Sequence, residues 1–174
     1  MIGLDVNEDA VAHNIRNGYE CYIPSDSAWK KEYDIILMSH IIEHFSPVEL
    51  VHFMEGYLSN LRDKGHLVIA TPLDTDYFYD DFTHIKIYPP ESLLMIFGDG
   101  NRQVSMRSGI KLELRDLWFR TSAFKIRRMR ACYLGRFGKA GIMLLNGLLV
   151  LAHLVTFGIV GKKDGWVGVF QKIS

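Results

Sequence analysis

The chain has 174 residues, 48% of them hydrophobic, and its 20 basic and 20 acidic residues cancel to a formal net charge of zero. This size and composition predict one domain with a substantial core, spanning residues 1–174. Zero net charge argues against nucleic acid as a partner, and two cysteines are too few for a disulfide framework. We therefore expect a cytoplasmic chain without a signal peptide.

The amino-terminal residues predict a strand, a helix and a second strand. Ile2–Leu4 and Tyr19–Ile23 are short apolar runs, and they flank a helix predicted over Glu8–Asn17, whose acidic first turn suits the helix dipole. Asp5 ends the first of these strands, and Asp26 lies in a polar turn after the second. An acidic residue therefore follows each strand.

The next stretch predicts a strand–helix–strand unit. Ile35–Met38 and Leu67–Ala70 are continuous apolar runs, as in strands that are buried in a parallel sheet. Ser46 as N-cap and Glu49 in a capping box predict where the helix between them begins, and Lys64–Gly65 predicts its end. Both strands should lie in one parallel sheet.

Polar residues follow both strands of this unit. Ser39–His40 comes directly after the first strand, and Thr71–Pro72 ends the second. Because open α/β sheets bind ligands beyond the carboxyl ends of their strands, we expect the functional chemistry at these two positions.

The remaining elements predict a helix over residues 90–97, a half-buried strand from Ile110 and a last strand over Gly165–Lys172. An acidic and aromatic loop follows Pro72, and it either lines a pocket or is solvated with its aromatic side chains tucked down. His84, at the end of this loop, is a candidate for a substrate-side role.

Several of these motifs together carry a resemblance. Gly-Leu-Asp before a capped helix, then YDIILMSHIIEHF, KGHLVIATP and DFTH with YPPESL, is similar to the class I S-adenosylmethionine-dependent methyltransferases of small molecules. The resemblance covers residues 1 to about 98. It implies a Rossmann-like α/β fold with a mainly parallel sheet, a final antiparallel hairpin and S-adenosylmethionine as cofactor.

The resemblance also implies roles for single residues. Asp5 corresponds to the acid that binds the ribose hydroxyls of the cofactor, and Asp26 lies near the position that contacts the adenine amine. Ser39 and His40 lie beside the methionine part. His40 or His84 would be the base that removes a proton from the acceptor, since imidazole titrates near neutral pH.

One part of the family pattern is missing from this sequence. The first strand, the glycine-rich loop and the first helix of the family have no counterpart before Ile2. The missing strand would lie centrally, between the strands that end at Asp5 and Met38. We therefore expect a truncated form of a longer methyltransferase, with two strand edges left without a neighbour.

The cluster His40-Ile-Ile-Glu43-His44 has several interpretations. Glu43 and His44 can order the strand–helix turn, as in methyltransferases that bind no metal, or the histidines can orient or deprotonate the substrate. Ubiquinone-pathway O-methyltransferases carry a similar Glu-x-x-Glu-His, which implies metal-assisted deprotonation. The spacing also matches an inverted zinc-peptidase motif, although the cluster follows a buried strand directly. The sequence assigns no metal ligand.

Residues Ala140–Gly161 form an apolar insertion before the last strand. They carry no formal charge, and basic residues flank them on both sides. The segment is long enough to span a bilayer, but a single span would separate the last strand from its sheet. An interfacial helix or a helical hairpin broken near Asn146–Gly147 keeps both ends on one side. A buried helix or a dimer interface is the alternative.

These observations predict methyl transfer from S-adenosylmethionine to a small or lipid-linked acceptor, at oxygen. The enzyme would be cytoplasmic and peripheral at the inner face of a membrane. The alternative is a catalytically inactive fragment or a membrane-associated scaffold. The sequence leaves the oligomeric state open.

Overall fold

The computed structural model describes residues 1–75, 78–99, 104, 106–126 and 134–173. The chain forms two compact units, Met1–Tyr33 and Asp34–Ser174. Helices and strands alternate along both units, so the α/β class predicted from the sequence is confirmed.

The first unit contains β1 (Ile2–Leu4), α1 (Glu8–Arg16) and β2 (Glu20–Tyr22), and its two strands pair in parallel. The side chain of Asn7 caps α1 by accepting hydrogen bonds from two backbone N–H groups of the first turn, at 3.0 and 3.3 Å. Gly18 follows the helix at a φ of +85°, a left-handed conformation that glycine adopts at little cost. The predicted strand–helix–strand order is therefore observed.

In its described residues, the second unit has a four-stranded sheet and three α-helices. Its strand order is β3-β4-β6-β5, and β6 runs antiparallel to both of its neighbours. The predicted final antiparallel hairpin is thus present. The described elements in chain order are β3 (Tyr33–Ser39), a 3-10 turn (Ile42–His44), α2 (Pro47–Leu58), β4 (Leu61–Pro72), a short 3-10 segment (Phe78–Asp80), α3 (Pro90–Phe97), β5 (Lys111–Ser122), α4 (Arg136–Val155) and β6 (Lys162–Ile173).

The core of this unit lies between the sheet and the helices α2 and α3. Apolar side chains at helical spacing on α2 meet every second residue of β4 and β6, so that both periodic patterns face each other. Burying each large side chain contributes about 1.5–3 kcal/mol. The fully buried side chains of this core include Met54 and Leu58 of α2, Phe97 of α3, Leu67 and Ile69 of β4, and Trp166 and Phe170 of β6.

Helix α2 ends earlier than the sequence predicts. The capping box of Ser46 and Glu49 starts it as expected. However, the side chains of Ser59 and Asn60 both donate hydrogen bonds back to the carbonyl of Gly56, at 2.9 and 3.2 Å, and short polar side chains of this kind compete with helix continuation. The helix therefore ends at Leu58, and the predicted end at Lys64–Gly65 is wrong.

Strand β3 is buried on one face only. Met38 is buried, whereas Ile35 and Leu37, on the opposite face, are 62% and 64% exposed. The expectation of a strand buried on both faces is therefore wrong for this structure. β3 also ends the order of its sheet, and in the described part of the chain no strand pairs with its outer edge. β1 and β3, the two strands predicted to lack a neighbour, belong to separate sheets.

Helix α4 contains most of the apolar insertion. It is continuous through Asn146 and Gly147, so the predicted hairpin with a break at that point is not observed. Among the described residues it is the helix long and apolar enough to cross a membrane, and none of its residues, all of which the structure describes, is buried.

Candidate active site at the carboxyl ends of β3 and β4

The loop after β3 is attached to the end of β4. The backbone N–H of His40 donates a 2.8 Å hydrogen bond to the carbonyl of Ala70. His40 has a φ of +54°, a conformation that costs free energy in a residue with a Cβ and is often found at functional positions. Ser39 is the exposed last residue of β3, and Thr71 is buried near the end of β4. The structure therefore places Ser39, His40 and Thr71 at one edge of the sheet, as the sequence predicts.

A buried carboxylate lies at the centre of this edge. Glu43, in the 3-10 turn, has no solvent exposure, and its Oε2 accepts a 3.0 Å hydrogen bond from the hydroxyl of Thr71. Its Oε1 lies 3.3 Å from Nδ1 of His40, without hydrogen-bond geometry, and has no hydrogen-bond partner among the described residues. A buried carboxylate oxygen left in this way costs free energy, so the site can accept a proton donor or a cation next to Glu43.

The ring of His44 is held in one tautomer. Its Nδ1 lies 3.3 Å from the carbonyl oxygen of Thr83, which can only accept a hydrogen bond. The hydroxyl of Thr83 lies 3.0 Å from the same nitrogen and donates its own proton to Asp81, at 2.6 Å. Nδ1 of His44 is therefore the donor, and Nε2 of the neutral ring carries the lone pair.

His84 is oriented in the same manner. Its Nδ1 lies 2.7 Å from the carbonyl oxygen of Phe78, so this nitrogen also donates and Nε2 again carries the lone pair. Nε2 lies 3.7 Å from a carboxylate oxygen of Asp81, which would stabilise a protonated ring. The buried Phe78 ring packs against the imidazole at a centroid distance of 4.6 Å. Fixed imidazoles with an available Nε2 are suited to proton transfer and to metal binding.

These side chains converge from two segments. The backbone carbonyl of Glu43 accepts hydrogen bonds from the N–H groups of Ile85 and Lys86, at 2.8 and 3.3 Å, which attaches the loop before α3 to the 3-10 turn. The rings of His44 and His84 are 4.8 Å apart between centroids, and one ligand atom each of Glu43, His44 and His84 lies within 4.8 Å of the others. A carboxylate and two imidazoles could hold a divalent cation.

The two predicted catalytic histidines have different surroundings. His40 faces Oε1 of the carboxylate, whereas His84 belongs to the cluster with His44. His40 stands outside the 3-10 turn and adopts a left-handed conformation. The motif therefore does not form one face of a helix, and the peptidase interpretation has no support in this geometry.

Two other ionisable groups border the cluster. The hydroxyl of Thr83 holds the pKa of the Asp81 carboxyl below its usual range, so Asp81 is negatively charged near neutral pH. Burial raises the pKa of Tyr88 to about 12. Because Tyr88 also donates a 3.0 Å hydrogen bond to the carbonyl of Phe45, it is not a base near neutral pH.

The predicted cofactor residues of the first unit lie at the carboxyl ends of β1 and β2. Asp5 follows β1, and its N–H donates to the carbonyl of Tyr22, the last residue of β2, at 3.2 Å. Asp5 is exposed and accepts one hydrogen bond from the N–H of Asn7. Asp26 is also exposed, and its carboxylate accepts a 2.8 Å hydrogen bond from the N–H of Ala28, which stabilises a local turn.

The acidic and aromatic loop combines both of its predicted forms. Phe78 is buried against His84, whereas Tyr79 and Phe82 are exposed. Asp76 and Tyr77 lie outside the described residues. The loop thus supplies one wall of the histidine cluster.

The sequence did not assign a role to two residues of the site. The carboxylate of Asp81 lies 3.7 Å from Nε2 of His84, and the carbonyl of Thr83 accepts a hydrogen bond from Nδ1 of His44. Both residue types are too common to stand out in a sequence. The available signal was the position of Asp81 and Thr83 inside the stretch that carries the family resemblance, directly before His84.

Comparison with known proteins identifies the fold. A methyltransferase from Archaeoglobus fulgidus, described as dependent on S-adenosylmethionine, matches 98% of this chain over 75% of its own, with a TM-score of 0.54 and 20% identity. A second such enzyme, from Methanosarcina mazei, matches 99% over 81%, with a TM-score of 0.53 and 12% identity. A Bacillus halodurans protein, named as a candidate methyltransferase, matches 99% over 83%, with a TM-score of 0.59 and 16% identity.

The chain has the class I methyltransferase fold. The Rossmann-like architecture inferred from the motif resemblance is thereby confirmed. No family model and no curated protein matches the sequence.

Proposed function

We propose that this chain transfers a methyl group from S-adenosylmethionine to a hydroxyl group of a small acceptor. The observation that supports this function is a pair of imidazoles with fixed Nδ1 donors, next to a buried carboxylate, at the carboxyl edge of a methyltransferase fold. Structural neighbours with this fold are named as S-adenosylmethionine-dependent enzymes. We also propose a cytoplasmic location and a lipid-linked acceptor.

The reaction requires alignment and one proton transfer. The acceptor oxygen forms a bond to the methyl carbon while the bond between that carbon and the sulfonium breaks, and the hydroxyl proton moves to Nε2 of an imidazole. His84 fits this role, because Phe78 fixes its ring and Asp81 stabilises the imidazolium that forms. His40 is the second candidate, with Glu43 as the group that stabilises its charge.

Four residues are proposed to bind the cofactor. We propose that Asp5 binds the ribose hydroxyls, since a carboxylate can accept hydrogen bonds from two vicinal hydroxyls at once. Asp26 would contact the adenine amine, and Ser39 with His40 would border the methionine part. The exposure of Asp5 next to the carboxyl end of β2 is compatible with this role.

A metal-assisted variant of the same reaction uses the same cluster. Glu43, His44 and His84 would hold a divalent cation, and Oε1 of Glu43 supplies a buried oxygen without a partner among the described residues. The cation would lower the pKa of a bound acceptor hydroxyl. Loss of methyl transfer on chelation, restored by added Zn²⁺ or Mg²⁺, would favour this variant over an imidazole base.

An inactive, cofactor-free scaffold is the second candidate function. The observation that favours it is the outer edge of β3, which pairs with no strand among the described residues and leaves Ile35 and Leu37 exposed. Such an edge is where the family would place the strand that precedes its glycine-rich loop.

The proposed activity is tested by transfer of a radiolabelled methyl group from S-adenosylmethionine to a membrane lipid extract and to a panel of small hydroxyl compounds. We expect label in an alkali-stable product, and loss of at least 100-fold in rate for His84→Ala combined with His40→Ala. Val48→Ala, an exposed residue of α2, is the matched control. Full activity of the double histidine variant would rule out both imidazoles as the base.

A further inference from the structure

Helix α4 exposes a continuous apolar surface. Every exposed residue from Ala140 to Val155 is apolar or glycine. The turn that follows adds Phe157 and Ile159, which are 97% and 86% exposed. The apolar surface is defined here by eight residues: Met143, Leu144, Leu148, Leu151, Leu154, Val155, Phe157 and Ile159. A surface of this kind is costly to leave in water.

Apart from the exposed Arg136 and Lys139 of its first turn, the polar side chains of α4 and of Thr156, which follows it, are half-buried and bond within the chain. Asn146 accepts a 2.8 Å hydrogen bond from the N–H of Ile126 and donates at 3.4 Å to the carbonyl of the same residue. His153 contacts the carbonyl of Val160 at 3.0 Å, and Thr156 donates to the carbonyl of Ala152 at 2.7 Å. This arrangement inverts that of a soluble surface helix, whose polar residues face solvent. It matches what lipid requires, because lipid offers polar groups no partner.

The charge around α4 identifies the neighbour that the surface fits. Residues 123–163 contain eight basic residues and no acidic residue, a net charge of +8, so the rest of the neutral chain carries −8. Arg136 and Lys139 begin α4, and Lys162 and Lys163 follow its carboxyl-terminal turn. Two copies joined through α4 would place two such segments against each other, whereas an anionic bilayer complements them.

The connections of α4 favour a position parallel to the membrane. Ser122, the last residue of β5, pairs with Lys162, the first residue of β6, so residues 123–161 leave and rejoin the sheet at adjacent positions. Asn146 ties the middle of the helix to Ile126, and a Cβ at Gly161 would lie 2.6 Å from the carbonyl oxygen of Ser122. A helix tied in this way to the segment that follows β5, and closely approached at its far end by the last residue of β5, would have to break both contacts to cross the bilayer.

The apolar surface lies at the same end of the sheet as the candidate site. β6 begins where β4 ends: Pro72 pairs with Gly165, and the N–H of Leu73 donates a 3.0 Å hydrogen bond to the carbonyl of Asp164. Thr71, the partner of Glu43, pairs with Trp166. The turn after α4 therefore leads directly into the strand beside the site.

We infer that α4 docks this chain flat on an anionic membrane surface, with the apolar surface buried at the headgroup boundary and the carboxyl edge of β4 turned toward the lipid. The acceptor would then be a hydroxyl compound carried on a lipid anchor, presented from the bilayer. This assignment of the acceptor rests on the proposed function, whereas the docking itself does not.

The docking is tested by sedimentation of the full chain with vesicles of 70% phosphatidylcholine and 30% phosphatidylglycerol, without cofactor or acceptor. We expect binding that weakens with salt, and partition lowered at least tenfold by Leu148→Asp with Leu151→Asp. Arg136→Gln with Lys139→Gln should lower partition by about fivefold per charge removed on anionic vesicles, and much less on pure phosphatidylcholine. Val48→Asp, on α2, is the control for an added charge. Circular dichroism establishes that each variant is folded.

Two further measurements distinguish docking on the membrane surface from a transmembrane span and from a dimer: the depth of α4 in the bilayer and the self-association of the chain. A fluorophore on Leu148→Cys should be quenched by lipids labelled near the headgroup more than by lipids labelled at the chain ends. Stronger quenching at the chain ends would mean a span, and a dimer in vesicle-free solution that Leu148→Asp dissolves would mean a second copy as occupant. Either result, or a folded chain that stays in the supernatant, overturns the inference. Binding to S-adenosylhomocysteine in the same samples reports separately on the proposed function.

Discussion

Helices α2 and α4 are both rich in apolar residues, but the protein uses them in opposite ways. In α2 the residues Leu50, Met54 and Leu58 are buried against the sheet, and the exposed positions include the acidic Glu49. In α4 no residue is buried, although the structure describes the whole helix, and the polar side chain of Asn146 bonds back to the chain. The difference shows that α2 stabilises the fold, whereas α4 presents a surface that water does not solvate well.

The largest expected effect is the difference in the free energy of unfolding between matched variants of α2 and α4. Leu58→Ala should lower the free energy of unfolding by about 2–5 kcal/mol, because it removes buried methyl groups and leaves a cavity. Leu148→Ala, the same substitution on α4, should change it by less than about 0.5 kcal/mol, because the side chain is already exposed. Urea unfolding in a mild detergent measures both. Equal losses would mean that α4 belongs to the core.

A second comparison concerns the buried carboxylate of the site. Glu43→Ala should destabilise the chain by about 1–3 kcal/mol, because the hydroxyl of the buried Thr71 loses its acceptor. Glu43→Gln keeps an oxygen acceptor in the same place and should cost less. Thermal unfolding of the two variants in parallel measures the difference. A Gln variant as unstable as the Ala variant would show that the charge, not the hydrogen bond, holds the turn.

The contact between α4 and the segment that follows β5 is expected to contribute less to the free energy of unfolding. Asn146→Leu removes both hydrogen bonds to the Ile126 backbone and should cost about 1 kcal/mol in aqueous solution. Amide hydrogen exchange at Ile126 should become faster in the variant. Asn17→Leu, an exposed asparagine of the first unit, is the control. Unchanged exchange at Ile126 would mean that this contact does not hold the helix in place.

The smallest effect concerns the start of α2. The hydroxyl and the N–H of Ser46 both donate to Glu49 and hold the pKa of its carboxyl below the ordinary value of 4.5. A lowered folded-state pKa means that the contribution is present above the unfolded-state pKa and is lost as the pH falls through the folded-state pKa. Ser46→Ala should therefore lower the melting temperature by about 2 °C at pH 7, with a difference that shrinks below pH 4.5. A pH-independent difference would contradict this.

Local patterns predicted much of the fold, and competing local hydrogen bonds together with long-range packing explain what they did not. The capping box at Ser46 and the apolar runs of β3 and β4 are encoded by adjacent residues, so they could be predicted from the sequence. The end of α2 was not, because it depends on hydrogen bonds of Ser59 and Asn60 that compete with helix continuation. The exposure of Ile35 and Leu37 depends on what covers the sheet, which an apolar run cannot specify.

The position of the candidate site could be predicted from the sequence, but most contacts between its residues could not. His40, Ser39 and Thr71 follow from the rule that ligands bind at the carboxyl ends of strands. The pairing of His44 with Thr83 joins residues 39 positions apart, and the sequence gives no local sign of it. The sequence also gives no local sign of the hydrogen bond between Asn146 and Ile126. Because of this bond, a polar residue within an apolar segment is a structural contact.

Calorimetric titration of S-adenosylhomocysteine into the chain, with detergent present to solvate α4, tests the proposed function most directly. The account predicts binding in the micromolar range that is lost on Asp5→Ala and retained on Glu32→Ala, which removes another exposed carboxylate of the same unit. No heat from a sample that is folded by circular dichroism would contradict it. The methyltransferase fold would then serve here without its cofactor, and the apolar surface of α4 would be where function has to be sought.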